Sequence, residues 1–224
     1  MEHLATTANS SRDNSKNTAV AAGMAPPVVF LLVFACAALC FGLLGHAIDA
    51  GVTRPFDTAV DGYFHTHQSA PWHAFLTVVS FFAGPLWMTV LVCALALAFA
   101  LRGAFWPSGF SFLLAGGGGE LLVMALKLLF HRPRPYEVFS SLGYSFPSGH
   151  SFFSLTIYGL IAYMLARDAP PVRRRLIYGV AIAGVLLVGF SRVALTVHYP
   201  SDVLGGYTVA LPWLWGCAQL KRFK

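Results

Sequence analysis

The sequence predicts an all-α fold, a polytopic bundle of six transmembrane helices. Three observations predict it. Only 11% of residues are charged and 57% are hydrophobic, whereas soluble domains carry about 25% charged residues. Six apolar stretches approach or exceed the roughly 20 helical residues that a bilayer core requires. The basic residues outside a few polar clusters fall in short connections between those stretches, where topology signals sit. The net charge of +6 is therefore read as a membrane-topology signal, and a nucleic-acid partner is not expected.

Taken in order, residues 1–24 are rich in Ser, Asn, Thr and Ala and read as a disordered cytoplasmic tail. Its Asn9-Ser10-Ser11 tripeptide is a formal glycosylation sequon that a cytoplasmic tail would leave unused. The rest, 25–224, reads as one membrane domain without internal repeats. Its first span is Pro27 to Ile48, longer than the 7–15-residue apolar core of a cleaved signal peptide. Asp49 to Trp72 alternates apolar Phe56, Val60, Tyr63 and Phe64 with Asp57, Asp61, His65 and His67, as expected of an amphipathic helix on the membrane surface. Surface histidines such as His65 and His67 need no metal to explain them.

His73 to Leu101 lacks Asp, Glu, Lys and Arg and is too long for one upright span. Gly84-Pro85 predicts a break, with a short leading helix and then a second span from about Leu86 to Leu101. The third span, about Pro107 to Phe130, carries Glu120, an intramembrane carboxylate that is either functional or a structural hydrogen-bonding group. Gly116 to Gly119 permit close helix approach beside it. Spans at about Ser151–Ala166, Leu176–Val197 and Val203–Leu220 complete the set. Cys36, Cys40, Cys93 and Cys217 all lie in apolar stretches and read as packing residues. Arg102, Arg167 with Arg173 to Arg175, and Lys221, Arg222 and Lys224 share one side, which the positive-inside rule makes cytoplasmic together with both termini.

Three polar clusters then fall on the opposite side. They are Lys127 to Pro135, Pro147-Ser148-Gly149-His150, and Ser191-Arg192 through His198 to Asp202. Each has a plain structural reading. Lys127 suits a helix C-terminus, Pro133 and Pro135 stop a helix, Ser148 is an ordinary N-cap, and Asp202 complements a helix N-terminus. His150 and His198 could be interfacial histidines held by backbone groups. The combination is harder to explain that way. Lys127, Arg134 and Arg192 converge beside two histidines and a carboxylate, and like charges gathered out of water need an anionic partner. Arginine forks and a lysine charge suit phosphate oxygens. The amides at the start of the fourth span add to such a cradle, and Gly149 allows close approach.

These positions resemble the type-2 phosphatidic acid phosphatase family, whose pattern is Lys-x6-Arg-Pro, Pro-Ser-Gly-His and Ser-Arg-x5-His-x3-Asp. Lys127, Arg134, Pro135, Pro147, Ser148, Gly149, His150, Ser191, Arg192, His198 and Asp202 meet every fixed position. The resemblance implies an integral-membrane phosphatase acting on lipid phosphates or pyrophosphates through a phosphohistidine. His198 would be the nucleophile and Asp202 the group holding its far nitrogen. His150 would be the acid and then the base, with Lys127, Arg134, Arg192, Ser148 and Gly149 around the phosphate oxygens. No cofactor and no metal are expected, since three adjacent cations repel a divalent ion.

The resemblance also implies candidate substrates. Short connections, including Tyr136 to Phe146, point to a bacterial cytoplasmic-membrane protein with its site on the periplasmic or outer face. Undecaprenyl pyrophosphate is then the leading expectation. Phosphatidic acid or phosphatidylglycerol phosphate comes next, and lipid A phosphate is a further alternative. The rival classes are a vanadium-dependent haloperoxidase, which the membrane composition disfavours, a lipid transporter or scramblase, and a non-enzymatic scaffold.

Overall fold

A computed structural model describes residues 28–136 and 143–220. The expected N-terminal tail, residues 137–142 of the connection between the first two clusters, and Lys221, Arg222 and Lys224 lie outside the described residues. Every regular element among the described residues is helical. In chain order these are α1 (Val28–Asp49), α2 (Arg54–Thr66), α3 (Ala70–Phe81), α4 (Pro85–Leu101) and α5 (Phe105–Phe130). They are followed by α6 (Gly149–Ala166), α7 (Pro171–Ala194) and α8 (Pro200–Gln219).

Five helical stretches among the described residues are long and apolar enough to cross a membrane, with α3 and α4 counted as one. The expected sixth span, α8, has 20 residues but is not among those five. Its first half carries Ser201, Asp202, Gly205 and Gly206, all buried against other helices rather than facing lipid. A helix lined by protein can be more polar than one lined by hydrocarbon.

Gly84-Pro85 breaks the long apolar run as expected. Gly84 is extended, and Pro85 opens α4 in the first-turn position that suits proline. The α5 stretch is kinked at its start, where Trp106 is non-helical (φ −98°, ψ 127°), and widens into a π-type turn at Leu114–Gly118. It stops at His131, which takes a left-handed conformation with φ 48°. The largest departure from expectation is at the end of α7. The helix starts earlier, so Arg173 to Arg175 are in its first turns, and it stops at Ala194 rather than near Val197. Thr196 is left-handed, φ 55°, and Tyr199 is extended before Pro200, as a residue preceding proline prefers. His198 consequently sits in a link, not on a helix.

The bundle is organised around α6. Half of its most apolar window is buried, against 6% for α1. Phe152, Phe153, Ile157 and Leu160 of α6 form the middle of the core with Met88 and Val92 of α4, Phe112, Ala115 and Val123 of α5, Val188 of α7 and Ala210 of α8. A smaller cluster of Leu76, Ala194, Leu195 and Val197 packs with Phe64 of α2 beneath the α7–α8 link. Gly206 lets α8 touch the start of α6, since a Cβ there would lie 2.5 Å from the Ser148 carbonyl oxygen.

The α2 helix is amphipathic as expected, with a reversed outcome for its carboxylates. Phe56 and Tyr63 are exposed, while Asp57 and Asp61 are buried against the bundle. The partners of Asp57, described below, lie far away in sequence.

Candidate active site

All three polar clusters meet at one end of the bundle. They are joined there by the α7–α8 link, the start of α6 and the end of α5. Main-chain bonds lace the first two clusters together. Ser145 N–H donates to the Arg132 carbonyl at 2.8 Å, and the Ser145 hydroxyl donates to the Pro133 carbonyl at 3.0 Å. Ser148 N–H donates to the Asp202 carbonyl at 3.0 Å, joining the second cluster to the third. His198 N–H donates back to the Arg192 carbonyl at 3.2 Å, which curls the link over the end of α7.

His198 is almost fully buried, at 2% exposure. Its Nε2 lies 3.1 Å from Arg134 Nη1, and its Nδ1 lies 3.4 Å from Asp202 Oδ2, at ion-pair distance but without a hydrogen bond among the described residues. Arginine can only donate, so Nε2 accepts and the ring proton belongs on Nδ1, facing the carboxylate. The Nε2 lone pair thus points toward the cations. Burial, followed by the charges of Arg192, Arg134 and Lys127, pushes the His198 imidazole well below its ordinary range, which keeps it neutral.

Asp202 is fully buried. Its Oδ2 also accepts the Tyr199 N–H at 2.9 Å, and its Oδ1 accepts from Arg132 Nη1 at 2.5 Å. It therefore serves as the helix-start carboxylate and as the histidine partner at once.

Arg134 Nε donates to the Gly143 carbonyl at 2.9 Å and its Nη1 to the Val197 carbonyl at 2.8 Å. Lys127 Nζ contacts the carbonyls of Tyr144 and Ser145. Arg192 Nη1 donates to the Ser80 hydroxyl, and its buried Nε has no hydrogen-bond partner among the described residues. Neither Lys127 nor Arg192 reaches ion-pair distance of a carboxylate among the described residues. Their charge is solvated by neutral dipoles, an arrangement that an anion would complete.

Ser148 stands immediately before α6. Its hydroxyl caps α6, accepting from Ser151 N–H at 3.5 Å and from the Ser151 hydroxyl at 3.1 Å. Gly149 and His150 follow in the first turn of α6, where amides have no intrahelical acceptor. The His150 ring lies against the α3–α4 turn, where a Cβ added to Gly84 would lie 3.7 Å from its Nε2. Tyr158 fixes that turn by donating to the Phe82 carbonyl, and Trp87 Nε1 donates to Tyr158 at 3.2 Å.

Arg132 and Asp57 were not legible as site residues. Arg132 Nη2 pairs with Asp57 Oδ2 at 2.8 Å while its Nη1 holds Asp202. Ser201 joins them, donating from its hydroxyl to Asp57 Oδ2 at 2.6 Å and from its N–H to Oδ1 at 3.2 Å. Arg132 stood in view beside Arg134 in the first cluster, but nothing in the sequence paired it with a carboxylate 75 residues away.

Glu120 is outside this assembly. It lines a cavity of about 330 Å³ between α4 and α5, with Pro85, Thr89, Val92 and Phe153. His65 stacks on Tyr136 and His67 on Tyr63. No group of three or more His, Cys, Asp or Glu suited to a metal occurs among the described residues.

Fold and site together define a polytopic helical membrane protein with a buried histidine set among cations. The chain belongs to the PAP2 superfamily, whose pattern matches residues 26–224. It is 38% identical over 107 residues to phosphatidylglycerophosphatase B of Bacillus subtilis, covering 46% of this chain and 53% of that protein. It is 39% identical over 74 residues to phosphatidylglycerophosphatase B of Haemophilus influenzae, covering 32% and 30%. The chain thus spans about half the length, or less, of these curated relatives.

Among solved structures, it superposes on the transmembrane PAP2-type phosphatidylglycerolphosphate phosphatase from Bacillus subtilis. The TM-score is 0.75 and the identity 27%, over 85% of this chain and 96% of that one. LpxE of Aquifex aeolicus shares the fold, with a TM-score of 0.54 and 20% identity over 75% and 96% of the two chains.

Proposed function

We propose that the chain is a metal-independent lipid phosphatase in which His198 Nε2 accepts the phosphoryl group. The observation that carries this reading is the His198 ring. It is buried and held neutral, has Nδ1 within 3.4 Å of Asp202, and has Nε2 against Arg134 in a cluster with Lys127 and Arg192.

Arg134 Nη1 turns from Nε2 to a phosphate oxygen, the freed Nε2 lone pair attacks phosphorus, and the ester P–O bond breaks. His150, protonated alongside the bound anion, gives its proton to the leaving lipid oxygen. The phosphorylated ring keeps its Nδ1 proton and carries positive charge, which Asp202 balances as a triad carboxylate does. His150 then takes a proton from water as the water oxygen attacks phosphorus. The P–N bond breaks, inorganic phosphate leaves, and His198 is neutral again. Lys127, Arg134, Arg192 and the Gly149 and His150 amides stabilise the equatorial oxygens, the dominant requirement in phosphoryl transfer. Ser148 supports those amides through its cap.

Phosphatidylglycerol phosphate is the substrate we put first, ahead of the undecaprenyl pyrophosphate that sequence alone favoured. Both curated relatives and the solved structure at 27% identity are named for that lipid. In this reading the site end of the bundle faces the periplasm or exterior of a bacterial cytoplasmic membrane.

The test is phosphate release by the purified protein in detergent with EDTA present. The panel is phosphatidylglycerol phosphate, phosphatidic acid, undecaprenyl pyrophosphate and lipid A, and His198→Ala is the control. Release fastest from phosphatidylglycerol phosphate and abolished by the substitution is expected. Fastest release from another lipid would reassign the substrate, and dependence on an added divalent metal would contradict the mechanism.

A further inference from the structure

We propose that Asp57 and Arg132 form a buried charge clamp that positions Asp202 and sets how much negative charge it presents to His198. This rests on the reading of His198 as phosphoryl acceptor and adds two positioning residues to it.

The argument begins with the geometry of one carboxylate. Asp202 Oδ1 is taken by Arg132 Nη1, and Oδ2 is left for Tyr199 N–H and the His198 ring. A carboxylate held at one oxygen cannot rotate its other oxygen away from the imidazole. Arg132 cannot rotate either. Its second nitrogen holds Asp57, its Nη1 also donates to Ser201 at 2.7 Å, and its guanidinium lies 4.5 Å above the Tyr199 ring. Asp57 has 1% exposure and Asp202 none, so each carboxylate depends on these contacts for solvation.

The charge count gives the clamp a chemical consequence. Two carboxylates share one guanidinium, so the trio carries one surplus negative charge when both are ionised. The guanidinium divides its attraction between Asp57 and Asp202. Without the Asp57 charge, Arg132 would compensate Asp202 alone, and less negative charge would remain for a cationic phosphohistidine. Without the Arg132 charge, the reverse holds. The other groups around His198 are Arg134 on the connection, Arg192 of α7, Lys127 of α5 and His150 of α6. All are histidines or cations, so Asp202 is the carboxylate through which the clamp reaches the ring. A clamp serving only to fasten α2 would predict no ordered electrostatic effect on His198.

Asp57→Asn is the discriminating variant. It keeps the side-chain shape and an oxygen that can accept from Arg132 and the Ser201 hydroxyl, while removing the charge and the acceptor of the Ser201 N–H. In full-length protein assayed on phosphatidylglycerol phosphate, kcat should fall by up to about 100-fold, the scale for misplacing a reacting group. KM should change by less than about threefold, as expected for an interaction expressed in the transition state. The acid limb of kcat/KM should move to lower pH in Asp57→Asn and to higher pH in Arg132→Gln. Ser201→Ala loosens the same junction without changing charge and should leave that limb in place. Because Arg132→Gln leaves two buried carboxylates and can unfold the protein, Asp57→Asn against Ser201→Ala is the decisive pair.

Wild-type kcat in Asp57→Asn, or an equal shift of the acid limb in Ser201→Ala, would overturn the clamp. The phosphatase reading would stand in that case if wild type turns over and His198→Ala does not. If wild type releases no phosphate from any lipid, that reading fails. The clamp is then tested by following the His198 ring by NMR, where Asp57→Asn must lower its titration relative to wild type and Ser201→Ala must not.

Discussion

His198 is almost fully buried in the α7–α8 link, directly after Ala194, Leu195 and Val197 of the small apolar cluster. Keeping an imidazole neutral there has a cost on acidification. The unfolded ring binds a proton below about pH 6.5, whereas the folded ring, depressed by burial and by Arg192, Arg134 and Lys127, does not. The unfolded state then holds more protons, so stability rises with pH and is lost as pH falls through the unfolded value. The slope is up to about 1.4 kcal/mol per pH unit from this one group. Thermal unfolding of ligand-free protein should therefore fall between pH 7 and 5 more steeply in wild type than in His198→Gln. Equal slopes in the two would mean that His198 titrates normally. At this scale the histidines, the carboxylate and three cations of the site were legible because chemistry marks them at short spacing. Asp57 and Arg132 were not, because their pairing exists only once α2 folds back over the α7–α8 link.

Among the elements, α8 carries the tightest tolerance. It approaches the start of α6 so closely that Cβ atoms would lie 2.5 Å from the Ser148 carbonyl oxygen at Gly206 and 2.3 Å from the Phe146 ring at Gly205. The Gly206 neighbour is backbone, which cannot swing aside as a side chain can. Gly206→Ala should cost about 1–3 kcal/mol and lower kcat by displacing Ser148, Gly149 and His150 together. Gly179→Ala on α7, where a Cβ would meet nothing within 4 Å, should be neutral or stabilising by up to about 1 kcal/mol. Melting temperature and turnover of the two variants check this directly. Helix starts were legible where proline or an N-cap marks them, as at Pro85 and Ser148, although α7 begins at Pro171 rather than near the expected Leu176. The end of α7 was not, because apolar Leu195 and Val197 continue the pattern of a span. They bury under α2 and α3 instead, while Thr196 turns the chain.

Across the whole molecule, α4, α6 and α7 each present one end to the site and an arginine-bearing end to the far side. The far ends are marked by Arg102, Arg167 and Arg173 to Arg175. Under the positive-inside rule these ends support the outward orientation proposed for the site. In a variant with Cys36, Cys40, Cys93 and Cys217 replaced by serine, Tyr63→Cys on α2 should react with a membrane-impermeant thiol reagent in intact cells. Asp168→Cys should react only after permeabilisation, and the reverse pattern would invert the topology. The membrane bundle was legible from hydropathy, but the rank of its helices was not. Composition shows that α1 and α6 are both apolar, yet only packing shows that α6 is the central helix and that the less apolar α8 lies against it.

The most direct test of the central claim is to mix the protein rapidly with a lipid phosphate radiolabelled in its terminal phosphate, quench in alkali where phosphohistidine survives, and map the label by peptide mass spectrometry. Label on His198 that forms with EDTA present, appears before free phosphate and is absent from His198→Ala is the predicted result. Phosphate release at the wild-type rate from His198→Ala, or label on another residue, would contradict the account.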